Sequence, residues 1–431
     1  MKRFSVLPKA LACGLLFLAA FPAGRAVAAQ QLTLDDYYAA ALRRSEVIAS
    51  QSELIRQAEE RYKQANAAIL PTLDGVGSYT WLDSGARDTT TYPTRQPLAR
   101  VALTQPLFRG FREFAAIRQS EALVGAQSED YRNARIQLFK DVTQNFYDVV
   151  ALERDLVNLD EQVRQNLQRE EELQARIRIG RSRVGEVLTV QARISTLRAE
   201  IAQLDAQLSV ARDIFAFLSG LPPTTSMQDT EALPVEIEPL DTYLARLPLR
   251  PDIKATQQRL TAAQENITVA RGAHLPSLDL NANRYLERVG SLENVDWDVQ
   301  LALTIPIYAG GSVESQVREA VSQNTQAELN SSRAQRLADQ EIRSFHQTVQ
   351  LDRRQLRALE TATDTARKNY EVQQRDYRLG LVTNLDVLQA LTSYQENLRA
   401  LDRARFTAKR NFLKLEAATV RRPDAVPTST P

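Results

Sequence analysis

Cysteine is almost absent: Cys13 is the only one in 431 residues. A chain with one thiol can form no internal disulfide and no thiolate metal cluster, and a cysteine nucleophile is excluded wherever Cys13 is removed. Methionine is confined to Met1 and Met227, which leaves nothing for a thioether relay of soft metal ions. The two histidines, His274 and His346, lie 72 positions apart with no ligand partner at metal spacing. His274 precedes a proline-bounded turn and His346 sits in a long polar helix, so both read as packing or surface residues. An excess of charge of one sign is missing too. With 54 basic and 53 acidic residues the net charge is +1, which argues against a nucleic-acid or polybasic membrane surface. There is no G-x-x-x-x-G-K-[ST] loop and no catalytic constellation, so neither a cofactor nor an enzyme activity is expected.

The first 28 residues carry a targeting pattern. Lys2, Arg3 and Lys9 precede an apolar run from Ala10 to Phe21, followed by Ala26-Val27-Ala28. That is a basic n-region, an h-region too short to span a bilayer and an A-x-A cleavage site, so residues 1–28 read as a signal peptide and the chain as exported. Cys13 follows Ala-Leu-Ala, as a lipoprotein cysteine would, but cutting there would split the apolar run that continues through Leu15–Leu18. After residue 28 no apolar stretch approaches the ~18 residues of a transmembrane helix.

What the chain does have is a copy of itself. The segment LQARIRIGRSRVGEVLTVQARISTLRAEI from Leu173 aligns without a gap with the segment from Gln373, Gly180 on Gly380 and Val187 on Val387. VALTQPLFRG from Val101 matches LALTIPIYAG from Leu301 at the same offset of 200. Upstream, AAILPTLDG from Ala67 matches GAHLPSLDL from Gly272 at an offset of 205. The step places a longer loop in the first copy, between Pro71 and Pro106. One module is used twice.

Each copy is mostly long amphipathic helix. Between Gly110 and Gly180 there is no proline and only Gly125 as a breaker. Apolar residues recur by heptads, with Val142, Val149, Leu156 and Val163 in one position and Leu138, Leu152 and Leu159 in the other, where Asn145 interrupts. Ile342, Val349 and Leu356 hold the same register in the second copy. An unbroken helix over 110–180 would be ~100 Å long, which suits a coiled coil with a solvated charged face rather than a globular core. Gly180 and Gly380 mark the turns of two helical hairpins.

The other end of each copy carries strands. TLDGVGSYTWL from Thr72 puts Leu73, Gly75, Gly77, Tyr79 and Trp81 on one face; WDVQLALTI puts Trp297, Val299, Leu301, Leu303 and Ile305 on one face. Alternation over about ten residues with aromatics near one end fits a transmembrane β-barrel strand as well as a half-buried sheet. Two hairpins, joined through 83–97 and 288–296, supply only four strands. Four cannot close a barrel, and lipid does not tolerate an open edge, so several chains would have to share one.

In order along the chain, LTLDDYYAAALRRSEVIASQ from Leu32, LPLRPDIKATQQRLTAAQENITVARGAHLPSLDL from Leu247 and YRLGLVTNLDVLQA from Tyr377 resemble the opening helix, the entry to the second repeat and the periplasmic turn of outer-membrane efflux proteins of the TolC family. The resemblance covers essentially all of the sequence after residue 28. It implies a mainly α fold with a small β part: duplicated long helical hairpins, and two β-hairpins contributing to a 12-stranded barrel of a homotrimer in outer-membrane lipid. The implied organisation is a first repeat over 29–219 with a β-hairpin at 72–107, a linker at 220–250 in an equatorial belt, a second repeat over 251–418 with a β-hairpin at 277–307, and a disordered tail over 419–431. The continuous long helices would run over about 110–178 and 312–378. The implied function is a passive exit duct for efflux or type I secretion, with the tunnel in the periplasm and energy supplied by an inner-membrane pump through a periplasmic adaptor protein.

The resemblance also assigns residues around the two turns. In the family, two acidic rings line the closed entrance; the first matches Asp386, while the second position holds Gln389. A tyrosine, an acid and an arginine tie the hairpins shut; Tyr377 and Glu186 match, whereas the arginine position is Val382, leaving Arg181 and Arg183 as the nearest substitutes. The alternative for Asp386 is an acid that merely begins a helix. Adaptor docking would use the turns themselves: Gly180, Arg181 and Ser182 in the first, and Gly380, Leu381, Val382 and Thr383 in the second. Two competing classes were weighed, a periplasmic adaptor and a soluble coiled-coil scaffold. The duplication speaks against the first and the strands with Trp81 and Trp297 against the second.

Overall fold

A computed structural model describes residues 31–83 and 93–422. The expected signal peptide, Cys13 and the last nine residues of the tail lie outside the described residues. Helix dominates: α1 Leu34–Arg44, α2 Glu46–Ala67, α3 Arg112–Arg178, α4 Val184–Ser219, α5 Leu240–Leu244, α6 Pro251–Gly272, α7 Ser312–Arg378 and α8 Asn384–Ala418. Four strands, β1 Thr72–Trp81, β2 Arg95–Arg109, β3 Ser277–Arg288 and β4 Trp297–Thr304, interrupt the helices at corresponding places. No described helix is long and apolar enough to cross a membrane.

α3 and α7 are each 67 residues, about 100 Å of continuous helix. α3 pairs with α4 and α7 with α8; α3 also meets α8, while α6 lies between α3 and α7 near the sheet. The heptad positions make these seams. Val142, Val149 and Leu159 are fully buried, as are Ile342 and Val349 in the second copy. Each such side chain contributes roughly 1.5–3 kcal/mol on leaving water. Asn145, the break in the heptad, is buried because it has polar partners: it accepts from the Tyr37 hydroxyl at 2.7 Å and donates to the Ala211 carbonyl at 2.9 Å.

The widest core lies midway along the bundle. Leu34, Tyr37 and Tyr38 of α1 pack there against Phe139, Phe146 and Tyr147 of α3 and Phe215 of α4. Beside it Lys140, Glu341, Arg250 and Asp252 form a chain of ion pairs that ties α3, α7 and the start of α6 together. Arg250 is only 6% exposed, and its Nη1 also donates to the Ala418 carbonyl. His346 is buried in the same region, with Nε2 3.1 Å from the Glu238 carbonyl. Residues 419–422 are tightly held. Thr419 is fully buried, and Arg421 and Arg422 pair with Glu238 and Glu231, so the packed structure reaches Arg422 rather than stopping before 419.

The strands form one antiparallel sheet in the order β1-β2-β3-β4. Register separates its faces. Leu73 opposes Leu103, Gly75 opposes Val101, Leu280 opposes Leu301 and Ala282 opposes Val299 on one side. Thr72 with Thr104, Asn281 with Gln300 and Asn283 with Asp298 lie on the other. Hydrogen bonds join the polar face: Asn283 and the Tyr285 hydroxyl both donate to Asp298, at 2.9 and 2.7 Å. Leu301, Leu303 and Trp297 are 62%, 61% and 65% exposed. β1 and β4 each have a neighbour on one side only, so the sheet has two open edges among the described residues.

Candidate functional site at the helical turns

Both hairpins end in the same motif. In the first turn Gly180 N–H donates to the Ile177 carbonyl and Arg181 N–H to the Arg176 carbonyl, each at 2.9 Å. In the second, Gly380 donates to Tyr377 at 3.1 Å and Leu381 to Asp376 at 2.9 Å. These are Schellman closures, which satisfy the last carbonyls of a helix and require a left-handed residue. Gly180 and Gly380 supply it, with φ of 70° and 76°, and no atom lies near where a Cβ would stand. The turns expose apolar surface: Leu379, Leu381, Val184 and Leu385 are all more than 60% exposed.

Between the turns lies an open cleft of about 660 Å³. Tyr377, Glu186, Val382, Arg181 and Arg183 all line it, so every sequence-assigned tie residue and both substitute arginines converge on one place. Their contacts are not those of a tyrosine–carboxylate tie. Glu186 accepts from the Ser182 hydroxyl at 2.8 Å, an interaction inside its own turn. Tyr377 is buried between two arginines that the sequence reading missed: the guanidinium carbons of Arg169 and Arg176 lie 4.1 and 4.4 Å from its ring centre. Arg169 Nε also donates to Asn384 Oδ1 at 2.8 Å and Nη1 to Glu172 at 2.8 Å, so α3 is fastened to the start of α8 through a cation stacked on α7.

Asp386 is the third residue of a capping box. It accepts from the Thr383 backbone N–H at 2.8 Å and hydroxyl at 2.6 Å, while its own N–H donates back to Thr383 Oγ1. The hydroxyl bond first, then the backbone bond, hold its carboxyl below the ordinary aspartate value. The helix-start role is therefore real within one chain, and the residue stays exposed. Gln389 lies in the neighbouring groove with Leu385, Thr189 and Arg193.

Further along, α3 presents a buried polar row to α8: Asp155, Asn158, Gln162, Asn166 and Arg169, all less than 10% exposed. Asp155 receives Arg399 Nε at 2.6 Å and Arg403 Nε at 3.0 Å, and Arg399 also reaches Glu200 on α4. Burial alone would raise the Asp155 carboxyl; the bonds from Arg399 and Arg403 outweigh it and leave it lowered. Asp402 accepts from Arg154 and Asn158, both at 3.0 Å. The spacing of three and four residues was the available signal for this row, which was not singled out from the sequence.

This geometry, two long hairpins in a repeat with a two-faced sheet at the far end, matches a known family. The family model for outer membrane efflux proteins fits residues 37–220 and 245–419. The chain belongs to that family. It is 26% identical over 347 residues to the outer membrane efflux protein BepC of Brucella suis, covering 78% of this chain and 74% of BepC. It is 23% identical over 379 residues to the outer membrane protein TolC of Escherichia coli K12, covering 83% and 76%. Its fold is that of the outer membrane protein VceC of Vibrio cholerae, with a TM-score of 0.79 over 90% of this chain and 95% of VceC at 20% identity. The protein is thus an outer-membrane efflux channel with its helical tunnel in the periplasm, and the adaptor and scaffold alternatives fall away.

Proposed function

We propose that three copies of this chain close one barrel and one tunnel, forming the passive outer-membrane duct of a tripartite efflux or type I secretion system. One observation carries the reading: an antiparallel sheet with an apolar face and a polar face has two unpaired edges. An apolar face of this kind belongs against lipid, where an unpaired edge costs several kcal/mol per polar group, and symmetric closure between copies removes both edges at once. The two repeats, over 29–219 and 251–418, then surround the tunnel with pseudo-sixfold regularity, and the segment 220–250 contributes to the belt. In this reading the turns at Gly180 and Gly380 face a periplasmic adaptor, an inner-membrane pump supplies cargo and energy, and Asp386 from each copy makes a charged ring at the entrance. The experiment is native mass measurement in mild detergent together with single-channel recording. A trimer that conducts supports the duct; a monodisperse monomer that inserts and conducts refutes it.

A further inference from the structure

Within the chain, the two repeats meet along a seam in which β2 and α3 of the first copy face β3 and α6 of the second. The second copy has its own β4 and α7, and the first its own β1 and α2, yet these two surfaces have no such partner in one chain. Because the repeats superimpose with offsets of 200 and 205, adding 200 to one side of the seam and subtracting 205 from the other gives a definite second seam. We propose that this second seam is the contact between copies, residue by residue, and it rests on the trimer reading above.

Three asymmetries of the chain point to it. β2 is 15 residues long and β4 only 8. The far end of β2 pairs with β3 through Gln105 with Leu280, Phe108 with Leu278 and Arg109 with Ser277. The equivalents in the second copy, Ile305 to Ala309, have no strand partner among the described residues, and Ile307 and Tyr308 stand 94% and 86% exposed. β4 is short because its template is on another chain. Second, Arg118 of α3 pairs with Glu265 of α6 at 2.8 Å. Their equivalents are Arg318 and Glu60, again opposite in charge, both exposed and engaged only inside their own helices, with Ser315 and Lys63. Third, Gly110 touches Gly272 so closely that a Cβ on Gly110 would stand 2.3 Å from the Gly272 carbonyl oxygen, whereas Gly310 has nothing within 4 Å.

The register of the new seam follows from the old one. Val101 with Arg284, Ala102 with Asn283, Leu103 with Ala282 and Thr104 with Asn281 become Leu301 with Tyr79 of the partner subunit, Ala302 with Ser78 of the partner subunit, Leu303 with Gly77 of the partner subunit and Thr304 with Val76 of the partner subunit. β4 then lengthens across Ile305–Ala309, which covers the exposed Ile307 and Tyr308. Arg318 meets Glu60 of the partner subunit. Three in-chain polar links are not repeated: the Arg109–Asp279 ion pair and the Thr104–Asn281 hydrogen bond fall on Ala309 with Asp74 of the partner subunit and Thr304 with Val76 of the partner subunit, and on the helices the Arg259–Asp130 ion pair falls on Asn330 with Leu54 of the partner subunit. The strand seam between copies therefore relies on backbone bonds. At the junction the two seams must differ slightly, since Ala67 of the partner subunit carries the methyl that Gly272 lacks; Gly311, at the position of Phe111, frees the backbone to step aside.

Disulfide trapping in the full-length chain tests the register. Ala302→Cys with Ser78→Cys, both on the polar face, should oxidise to a covalently closed trimer on a non-reducing gel. Ala102→Cys with Asn283→Cys, on the same face, should give only an internal cross-link, which confirms that the oxidant reaches that face. Ala302→Cys with Val76→Cys or Thr80→Cys, two residues off, should remain monomeric on the same gel. Trimers by native mass that cross-link through an off-register pair, or through none, overturn the proposal while leaving the assembly intact; absence of trimers brings down the assembly reading first. A second readout is independent of cysteine. Arg318→Glu or Glu60→Arg alone should lower the temperature at which trimers dissociate in detergent, and the double exchange should restore it. Additive losses in the double variant refute the pairing.

Discussion

Arg169 on α3 stacks on the ring of Tyr377 on α7 at 4.1 Å while no hydrogen bond reaches the Tyr377 hydroxyl among the described residues. The tie between the hairpins therefore uses the face of the ring and not its oxygen. A cation over an aromatic face contributes about 0.5–1 kcal/mol when exposed and about 2 or more when desolvated, and Arg169 is 9% exposed. Tyr377→Phe should leave closed-state conductance in planar bilayers nearly unchanged, because phenylalanine keeps the face. Tyr377→Leu and Arg169→Ala should both raise it. Equal effects of the Phe and Leu variants would restore the hydroxyl to the central role.

The turns permit a separate test of docking. A side chain at Gly180 or Gly380 meets open space, so its only cost is the left-handed backbone. That strain is about 1–2 kcal/mol for a residue with a Cβ, and worse for a β-branched one. Gly380→Val should leave trimers in the outer membrane, since the turn is remote from the barrel, yet abolish efflux or secretion in cells. Retained transport at wild-type level would mean that the adaptor binds elsewhere.

How legible this was in the sequence depended on which forces wrote the pattern. Burial against a single apolar seam leaves a heptad, so a long unbroken helix was legible over 110–180, with the same register in the second copy. The family resemblance set the bounds at about 110–178 and 312–378, and the helices run over Arg112–Arg178 and Ser312–Arg378. Alternation in β1 and β4 likewise gave the two faces of the sheet. The polar row from Asp155 to Arg169 was not singled out, because hydropathy cannot tell a paired charge from a hydrated one; only α8, more than 200 residues away, supplies Arg399, Arg403 and Asn384. The end of β4 at Thr304 was illegible for a related reason, as its alternation continues through Ile305 while β3 begins at Ser277, opposite Thr304. Around the turns the residue types converged on one cleft, but their partners were decided by geometry.

The ion pairs that join Lys140, Glu341, Arg250 and Asp252 predict a pH-dependent stability. Burial alone would raise the Glu341 carboxyl; Lys140 and Arg250 outweigh it and hold it below the ordinary glutamate value. A depressed carboxylate contributes stability that is present above its unfolded value and is lost as pH falls through the folded one. Thermal unfolding in detergent should therefore drop on acidification below the usual glutamate range. Glu341→Gln leaves two buried cations without their shared carboxylate, a change that costs about 3–5 kcal/mol in comparable settings. The variant should melt lower at neutral pH and lose part of the acid sensitivity. An unchanged pH profile in Glu341→Gln would assign that sensitivity to another group, Asp155 being the next to examine.

The proposed ring at Asp386 sets two opposing influences on one carboxyl, and the conflict can be measured. Inside one chain Thr383 donates two hydrogen bonds to it and depresses its carboxyl. At a threefold ring the like charges of three carboxylates repel, attract cations and push the same carboxyl upward. Charge on the ring should make the closed channel cation-selective and open to block by multivalent cations at neutral pH, and both properties should fade as pH falls through the value that balances these effects. Asp386→Ala should abolish both at every pH. Thr383→Val removes the hydroxyl donor but keeps the backbone donor and the carboxylate, so selectivity at neutral pH should persist while its loss moves to higher pH. If Asp386→Ala leaves selectivity and block intact, the residue is a helix-start acid alone and the constriction is charged by some other group.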